Sequence, residues 1–265
     1  MASRKEQKEA ARQRRLAEER ARAERARRDR RLRMLGGTLI GAIAVVAVAI
    51  AISSGGSSAT VVAPNSAAAK QAQTKVNSLL AGIPQQGNTL GSPSAKVTLT
   101  EYGDLVCPVC KDFALKAENQ LITNEVRQGK VKIVYKALET ASQQANNSMF
   151  VPSQTAALAA GNQKKAWNYI ELFYHEQGDE TNSYVTDKYL SGLAAQVPGL
   201  NVSQWGSDRQ SSALSSKVTA DEQAAAAAGF NSTPTLVVSG PKSQAQPIVG
   251  DPTYAQLQSK IQSVS

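Results

Sequence analysis

A Cys-Pro-Val-Cys motif at residues 107–110 contains the only two cysteines of the 265-residue chain. The segment before it, Val97–Tyr102, alternates in polarity and is β-prone, which is typical of a strand. After the motif, apolar residues recur at helical spacing as far as Gly129, and a second β-prone segment, Val131–Ala137, follows. This order predicts a β-α-β unit with two parallel strands, in which the cysteines lie at the start of the helix.

The remaining pattern predicts an α/β fold with a mixed sheet, flanking helices and an all-helical insertion at about residues 138–210. An Ala-rich helix (211–228) then leads to two β-prone segments that suit a hairpin. A final helix follows, with Asp251 as N-cap and Pro252 at N1. The predicted helices of the insertion are Gln154–Ala160, Lys164–Gln177, Asp187–Gln196 and Val202–Asp208, and the hairpin segments are Thr235–Ser239 and Gln246–Val249.

The position of Cys107 at the start of a helix has a chemical consequence. Free N–H groups and the helix dipole favour negative charge there, so a thiol loses its proton more easily. The thiolate is the reactive form, and the more buried Cys110 can attack a mixed disulfide formed at Cys107. A lower thiolate pKa also makes the disulfide a stronger oxidant. The motif therefore predicts thiol–disulfide exchange.

Structural roles for the two cysteines are the alternatives. A disulfide across two intervening residues closes so short a loop that it stabilises little. A zinc site needs about four ligands, and the chain has a single histidine, His175, besides the cysteines, so we predict no metal. Two unpaired structural thiols are unusual outside the cytoplasm, where oxidation is the rule.

An uncharged stretch runs from Met34 to Ala69, and within it Leu35–Ile52 is almost wholly apolar. Its length is close to the about 20 residues with which a helix spans a bilayer. A cleaved signal peptide is the nearest alternative, but the basic segment and the apolar run are both longer than usual. Residues 1–33 hold 14 Lys/Arg and 6 Asp/Glu, so the positive-inside rule places them in the cytoplasm.

The sequence therefore predicts a single-pass protein of the cell membrane with an extracytoplasmic folded domain. Its parts are a basic cytoplasmic tail (1–33), a transmembrane helix (34–53), a linker (54–81) and the folded domain (82–265). Nearly all of the net charge of +9 belongs to the tail, so we predict no nucleic-acid-binding face on the domain. The tail either binds anionic membrane lipid or RNA, or is a solvated run that sets topology, and we favour the topological role.

Two segments resemble the signatures of DsbA-like thioredoxin-fold proteins. EYGDLVCPVCKDFA at 101–114 is similar to their active-site segment, and GFNSTPTLVV at 229–238 is similar to their cis-proline loop. The lead-in at 82–102 is similar to membrane-anchored members from Gram-positive and actinobacterial lineages. The resemblance covers residues 82–262 and implies a thioredoxin-like fold in which the helical insertion is the family's inserted domain.

The resemblance also implies roles for particular residues. Pro234 would be the cis-proline and Thr233 the residue before it, both facing the cysteine pair and the substrate. Glu101 would be a buried acid that relays a proton to Cys110. From its position on the next predicted parallel strand, Lys136 is the candidate partner of Glu101, and the alternative is a half-buried strand acid and a surface lysine. Asp104 is predicted only as a loop or N-cap residue. Pro108 and Val109 support the motif, and Val109 replaces a histidine of the best-known members, which predicts a weaker oxidant.

The function that follows is a membrane-tethered thiol:disulfide oxidoreductase that introduces disulfides into unfolded exported proteins. Its redox group would be the Cys107–Cys110 disulfide, without another cofactor, and a DsbB-type or VKOR-type membrane protein would reoxidise it. A reductase or isomerase on the same fold is one alternative. A non-catalytic membrane-anchored binding module is another.

Overall fold

A computed structural model describes residues 66–145 and 148–265. Within these residues, none of the helices combines the length and the apolar character needed to cross a membrane. The predicted tail (1–33), the predicted transmembrane helix (34–53) and residues 54–65 of the predicted linker lie outside the described residues.

The described residues contain a single mixed sheet of six strands. The strands are β1 (Gln85–Gln86), β2 (Thr89–Leu90), β3 (Val97–Gly103), β4 (Val131–Ala137), β5 (Thr235–Ser239) and β6 (Ile248–Val249). Their order across the sheet is β1-β2-β4-β3-β5-β6. The predicted parallel pairing of β3 with β4 is confirmed, and the other neighbours are antiparallel, including the β5–β6 pair.

Helices cover both faces of the sheet. Helix α2 begins as Pro108–Phe113 and continues through a π-helical turn (Ala114–Glu118), a short α-helical stretch (Asn119–Leu121) and a second π-helical turn (Ile122–Val126). The other helices are α1 (Ala67–Leu80), α3 (Phe150–Asn162), α4 (Ala166–His175), α5 (Asp187–Gln196), α6 (Val202–Asp208), α7 (Ser212–Ala227) and α8 (Tyr254–Val264), with a 3₁₀ turn at Ala141–Ala145. Helices α3 to α6 form the insertion between β4 and α7.

The alternation of side chains along β3 separates two environments. Leu99 and Glu101 point to one face, where Leu99 lies in the main apolar core with Phe113 of α2 and Ile261 of α8. Tyr102 points to the opposite face and packs with Ala225 of α7. Cys107 and Cys110, at the start of α2, therefore lie on the same face of the sheet as Leu99 and Glu101.

Two elements of the structure, the β1–β2 pair and helix α1, lie before the first predicted strand. The β1–β2 pair was not predicted, because two-residue strands are too short to show alternation. Helix α1 lies within the predicted linker (54–81), and the Ser66 hydroxyl caps it by accepting from the Ala69 N–H at 3.1 Å.

The predicted start of the last helix is wrong. Thr253, rather than Asp251, is the N-cap of α8, because Thr253 and Gln256 form a reciprocal capping box. Pro252 therefore lies before the helix rather than at N1. The Asp251 carboxylate instead lies 3.7 Å from Lys116 Nζ.

Candidate active site

Cys107 and Cys110 lie where the chain passes from β3 into α2. Cys107 is the N-cap residue with extended backbone, and Pro108 occupies the first helical turn, where its missing N–H costs nothing. Both cysteines are free thiols. Cys110 is fully buried and Cys107 is 6% exposed, so Cys107 is the more accessible sulfur of a well-covered pair.

The surroundings of the two thiols give them opposite acidities. Donation from Cys110 lowers the pKa of Cys107 from 9.0 to about 6, against the effect of burial. The Thr233 hydroxyl and the N–H groups of Cys110 and Val109 lower it further. Burial raises the pKa of Cys110 well above its ordinary value, and the negative charges of Cys107 and Glu101 act in the same direction. At neutral pH, Cys107 is therefore the thiolate and Cys110 the thiol.

The loop before β5 faces Cys107. The Thr233–Pro234 peptide bond is cis, as the resemblance implies, and Cys107 Sγ lies 3.7 Å from the Thr233 carbonyl oxygen, to which the thiol donates. The Pro234 carbonyl accepts from the Gly250 N–H at 2.9 Å, which joins this loop to the end of β6. The structure therefore brings Thr233 and Pro234 to the cysteine pair.

Glu101 is fully buried on β3, and its charge acts on Cys110. Burial raises the pKa of Glu101 to about 7, with Glu118 acting against this shift and Cys107 reinforcing it. Gly103 leaves room for the acid, because a Cβ at this position would lie 3.1 Å from Glu101 Oε1 and 2.8 Å from Tyr135 Cε2. Glu101 is thus suited to exchange a proton near neutral pH.

Two further buried acids near Glu101 were not predicted from the sequence. Glu118 lies on the first π-helical turn of α2 and Glu171 on α4, and both are fully buried. No carboxyl oxygen of the three acids has a conventional hydrogen-bond partner within the described part of the chain. Burial, together with the charge of Glu101, raises the pKa of Glu171 to about 8 and that of Glu118 well above its usual range. A signal for Glu171 exists in the sequence, since it interrupts an otherwise apolar helix.

The predicted pairing of Lys136 with Glu101 is wrong. In the register of β3 and β4, Glu101 lies opposite Tyr135, whereas Lys136 lies opposite Tyr102 on the other face. Lys136 Nζ is 3.9 Å from Asp221 on α7 and 5.5 Å from the centre of the Tyr102 ring. Strand alternation places Lys136 and Glu101 on opposite sides of the sheet.

Asp104 has a larger role than its predicted place in a loop suggests. It is fully buried, and its carboxylate accepts from the N–H groups of Val106, Thr140 and Ser142 at 3.0 to 3.1 Å. The Ser142 hydroxyl donates to it at 2.9 Å. Asp104 therefore ties the loop before Cys107 to the segment after β4. An aspartate in a loop is common, so the sequence held no signal for this function.

Val109 and Gln177 lie next to the motif, and of these two only Val109 was predicted as a site residue. The Val109 side chain is 40% exposed, so position 109 faces solvent beside Cys107. Gln177 Nε2 donates to the carbonyls of Leu105 and Cys107 at 2.7 and 3.0 Å and holds the loop from the insertion side. Within residues 66–145 and 148–265, no group of three or more His, Cys, Asp or Glu side chains is arranged to hold a metal ion.

Comparison with known proteins agrees with this arrangement. The family model described as Thioredoxin matches residues 85–262. A probable disulfide bond formation protein D from Bacillus anthracis is 24% identical over 173 residues, covering 63% of this chain and 75% of that protein.

Solved structures share the fold. The oxidised form of BdbD from Bacillus subtilis superposes with a TM-score of 0.58 and 20% identity, covering 68% of this chain and 96% of that one. DsbA2 from Pseudomonas aeruginosa gives a TM-score of 0.53 and 21% identity, covering 69% and 97%. With an acidic Cys107, a buried Cys110 and a cis-proline loop on one side of a thioredoxin-like sheet, the chain belongs to the thioredoxin family and is a DsbA-like thiol:disulfide oxidoreductase.

Proposed function

We propose that this protein introduces disulfides into exported proteins while tethered to the outer face of the cell membrane. The observation that carries the proposal is the environment of Cys107, a helix N-cap residue whose pKa is lowered to about 6 and whose sulfur faces the Thr233–Pro234 loop. A stabilised thiolate favours the reduced form, so the Cys107–Cys110 disulfide oxidises its clients. The names of the Bacillus relatives support the same direction.

The reaction begins when a client thiolate attacks Cys107 Sγ in the oxidised protein. A bond forms between the client sulfur and Cys107, the Cys107–Cys110 bond breaks, and Cys110 leaves as a thiolate. Because Cys110 is fully buried and its pKa is raised, this thiolate takes a proton, and Glu101 supplies it. The negative charge thereby moves from the Cys110 sulfur to the Glu101 carboxylate.

The second step releases the oxidised client. Another client thiolate attacks the client sulfur of the mixed disulfide, and Cys107 leaves as the thiolate that its surroundings stabilise. Two electrons pass from the client to the protein, which ends as the Cys107–Cys110 dithiol. We propose that a quinone-linked membrane protein of the DsbB or VKOR type removes those electrons.

Backbone groups of the Thr233–Pro234 loop would hold the client. The Thr233 N–H has no acceptor among residues 66–145 and 148–265, so an extended client segment can pair with it in the manner of an added strand. Recognition through backbone groups tolerates many client sequences. This tolerance suits an enzyme that meets unfolded chains.

The predicted transmembrane helix supports the tethered location. An anchor near the site where unfolded chains emerge raises the effective concentration of the domain there. Protease treatment of intact cells that express the full chain should digest the folded domain and spare the basic tail. Protection of the domain, or recovery of the protein in the soluble fraction, would contradict the tether.

The catalytic proposal is tested by trapping. In Cys110→Ala, Cys107 forms mixed disulfides that cannot be resolved, so client adducts should accumulate and disappear on reduction. The matched control, Cys107→Ala, should trap none. If Cys110→Ala forms no adducts, and Cys107→Ser leaves the folding of exported proteins unchanged, the non-catalytic binding module is the correct reading.

The direction of the reaction is tested by the redox potential against glutathione. A potential well above the about −270 mV of thioredoxin is expected for a disulfide-forming enzyme. A value close to that of thioredoxin would instead support the reductase.

A further inference from the structure

The thiol and thiolate forms of Cys107 need different neighbours. As a thiol, Cys107 donates to the Thr233 carbonyl oxygen at 3.7 Å. As a thiolate it has no proton to donate, and this carbonyl becomes a repulsive neighbour. The negative sulfur must then accept from donors, and the Thr233 hydroxyl is one of those that lower the pKa of Cys107.

The Thr233 hydroxyl has only one proton to donate. It is hydrogen-bonded to the Thr140 hydroxyl, and either oxygen can be the donor. If Thr233 donates to Thr140, no proton is left for Cys107. If Thr140 donates to Thr233, the Thr233 proton is free to point at the sulfur. The direction of this one hydrogen bond therefore decides whether Thr233 stabilises the thiolate.

Thr140 is held in place by the anchor beneath the active-site loop. Its N–H donates to Asp104 Oδ2 at 3.1 Å, and the Ser142 N–H and hydroxyl occupy the same carboxylate. Thr140 itself is half-buried, whereas Asp104 is fully buried. The segment that carries the Thr140 hydroxyl is thus fixed relative to the loop that carries Cys107.

We propose that Thr140 is a positioning residue which donates to the Thr233 hydroxyl, directs that hydroxyl at the Cys107 thiolate and so sets the oxidising strength of the disulfide. This inference rests on the proposed function. Asp104, Thr140 and Thr233 form a chain of contacts from the buried anchor to the reacting sulfur. Thr140 acts through Thr233, since the hydrogen bonds of the Thr140 N–H and hydroxyl within the described part of the chain join it to Asp104 and Thr233.

Substitution of Thr140 removes no titratable side chain from the surroundings of Cys107. Cys110 acts on Cys107 directly, Cys107 in turn acts on Glu101, and Asp104 lies behind Thr140. Glu139 is the neighbour of Thr140 in the sequence, and Glu222 on α7 interacts with Glu139. A change in the acidity of Cys107 in a Thr140 variant is therefore attributable to the hydroxyl.

The test is Thr140→Val in the folded, reduced protein, with two readouts. The pKa of Cys107 is measured by thiolate absorbance, and the redox equilibrium is measured against glutathione. Loss of the Thr140 hydroxyl should raise that pKa and make the disulfide about three- to tenfold less oxidising, where tenfold corresponds to one pKa unit. Thr140→Ser keeps the hydroxyl and should restore both values.

Two controls isolate the route through Thr233. In a Thr233→Val background, Thr140→Val should add no further change, because the hydroxyl on which it acts is gone. Thr98→Val removes another half-buried threonine hydroxyl at the far end of β3 and should leave both readouts unchanged. If Thr140→Val does not fold, Thr140→Ala is measured in its place.

The outcomes separate this inference from the proposed function. Wild-type acidity and potential in Thr140→Val would overturn the role of Thr140 while leaving the oxidase intact. If Thr140→Val had the same effect in the wild-type and Thr233→Val backgrounds, Thr140 would not act through the Thr233 hydroxyl. A wild-type protein without an acidic thiolate would instead overturn the proposed function itself.

Discussion

The surroundings of Cys107 and those of Cys110 have opposite effects on the acidity of the two thiols. Cys107 lies among donors, first the Cys110 thiol, then the Thr233 hydroxyl and the N–H groups at the start of α2. Cys110, three residues further on, is fully buried near Glu101, and no positive charge within the described residues offsets these effects. The same residue type is therefore a thiolate on one side and a thiol on the other. The difference shows that the hydrogen bond between the two sulfurs, together with unequal burial and unequal neighbours, assigns the attacking role to Cys107 and the resolving role to Cys110.

The largest effect is expected from Glu101→Gln, which tests the buried acid near Cys110. Without a carboxyl that takes up and returns the proton of Cys110, attack of Cys110 on a mixed disulfide should slow by about 100-fold. In the wild type this rate should change with pH around the pKa of Glu101, about 7, and the variant should lose that change. Single-turnover resolution of a preformed mixed disulfide measures both, and a rate within twofold of wild type would remove Glu101 from the mechanism.

The buried acids also affect stability, and Glu171→Gln measures how much. Glu171 has its pKa raised from 4.5 to about 8 by burial and by Glu101, so the unfolded chain ionises it at lower pH than the folded one. Its contribution is therefore fully present below pH 4.5 and is lost as pH rises towards 8.

Glu171→Gln cannot ionise, so at pH 8 it should unfold with a free energy about 4 kcal/mol higher than wild type. Near pH 4.5 the two proteins should be alike. Denaturant unfolding at the two pH values makes the comparison. An equal difference at both would show that the buried charge is not the cause.

Val109→His tests the surroundings of Cys107, where hydrogen-bond donors stabilise the thiolate. Position 109 is 40% exposed beside Cys107, so a histidine fits without repacking, and its positive form would stabilise the thiolate. The pKa of Cys107 should fall, and the disulfide should become about tenfold more oxidising against glutathione. Val109→Thr adds polarity without charge and should change little. An unchanged or higher pKa in Val109→His would contradict this account of the surroundings of Cys107.

The smallest effect is expected from Lys136→Met. Lys136 faces Asp221 and Tyr102 across the sheet from Glu101, so resolution of the mixed disulfide should change by less than about twofold, as for a long and partly exposed ion pair. The rate assay used for Glu101→Gln serves here. A loss comparable with that of Glu101→Gln would restore Lys136 as the partner of the acid.

Local pattern was enough to predict one part of the site. Alternation and helical spacing placed the β3–α2–β4 unit, including the bounds of Val131–Ala137, and the motif placed Cys107 at the helix start. The cis bond before Pro234 followed from a resemblance. The strands, the helix start and the motif depend on neighbours in sequence, which is why local pattern was enough to predict them.

The other part depends on contacts between distant segments. Glu101 and Lys136 lie on adjacent strands, and only the register shows that they face apart. Asp104 and Thr140 meet across 36 residues, and Thr140 and Thr233 across 93. Neither contact leaves a periodic signal in the sequence. The sequence thus predicted Cys107 at a helix start and Thr233 near it, but it predicted neither Thr140 nor the buried acids Glu118 and Glu171.

Thiolate absorbance of the reduced wild-type protein as a function of pH tests the central claim most directly. The account predicts one thiolate with a midpoint at pH about 6, assigned to Cys107 by its loss in Cys107→Ala, while Cys110 stays protonated through neutral pH. A midpoint at the ordinary thiol value of 9.0, or two thiols that titrate together, would contradict it.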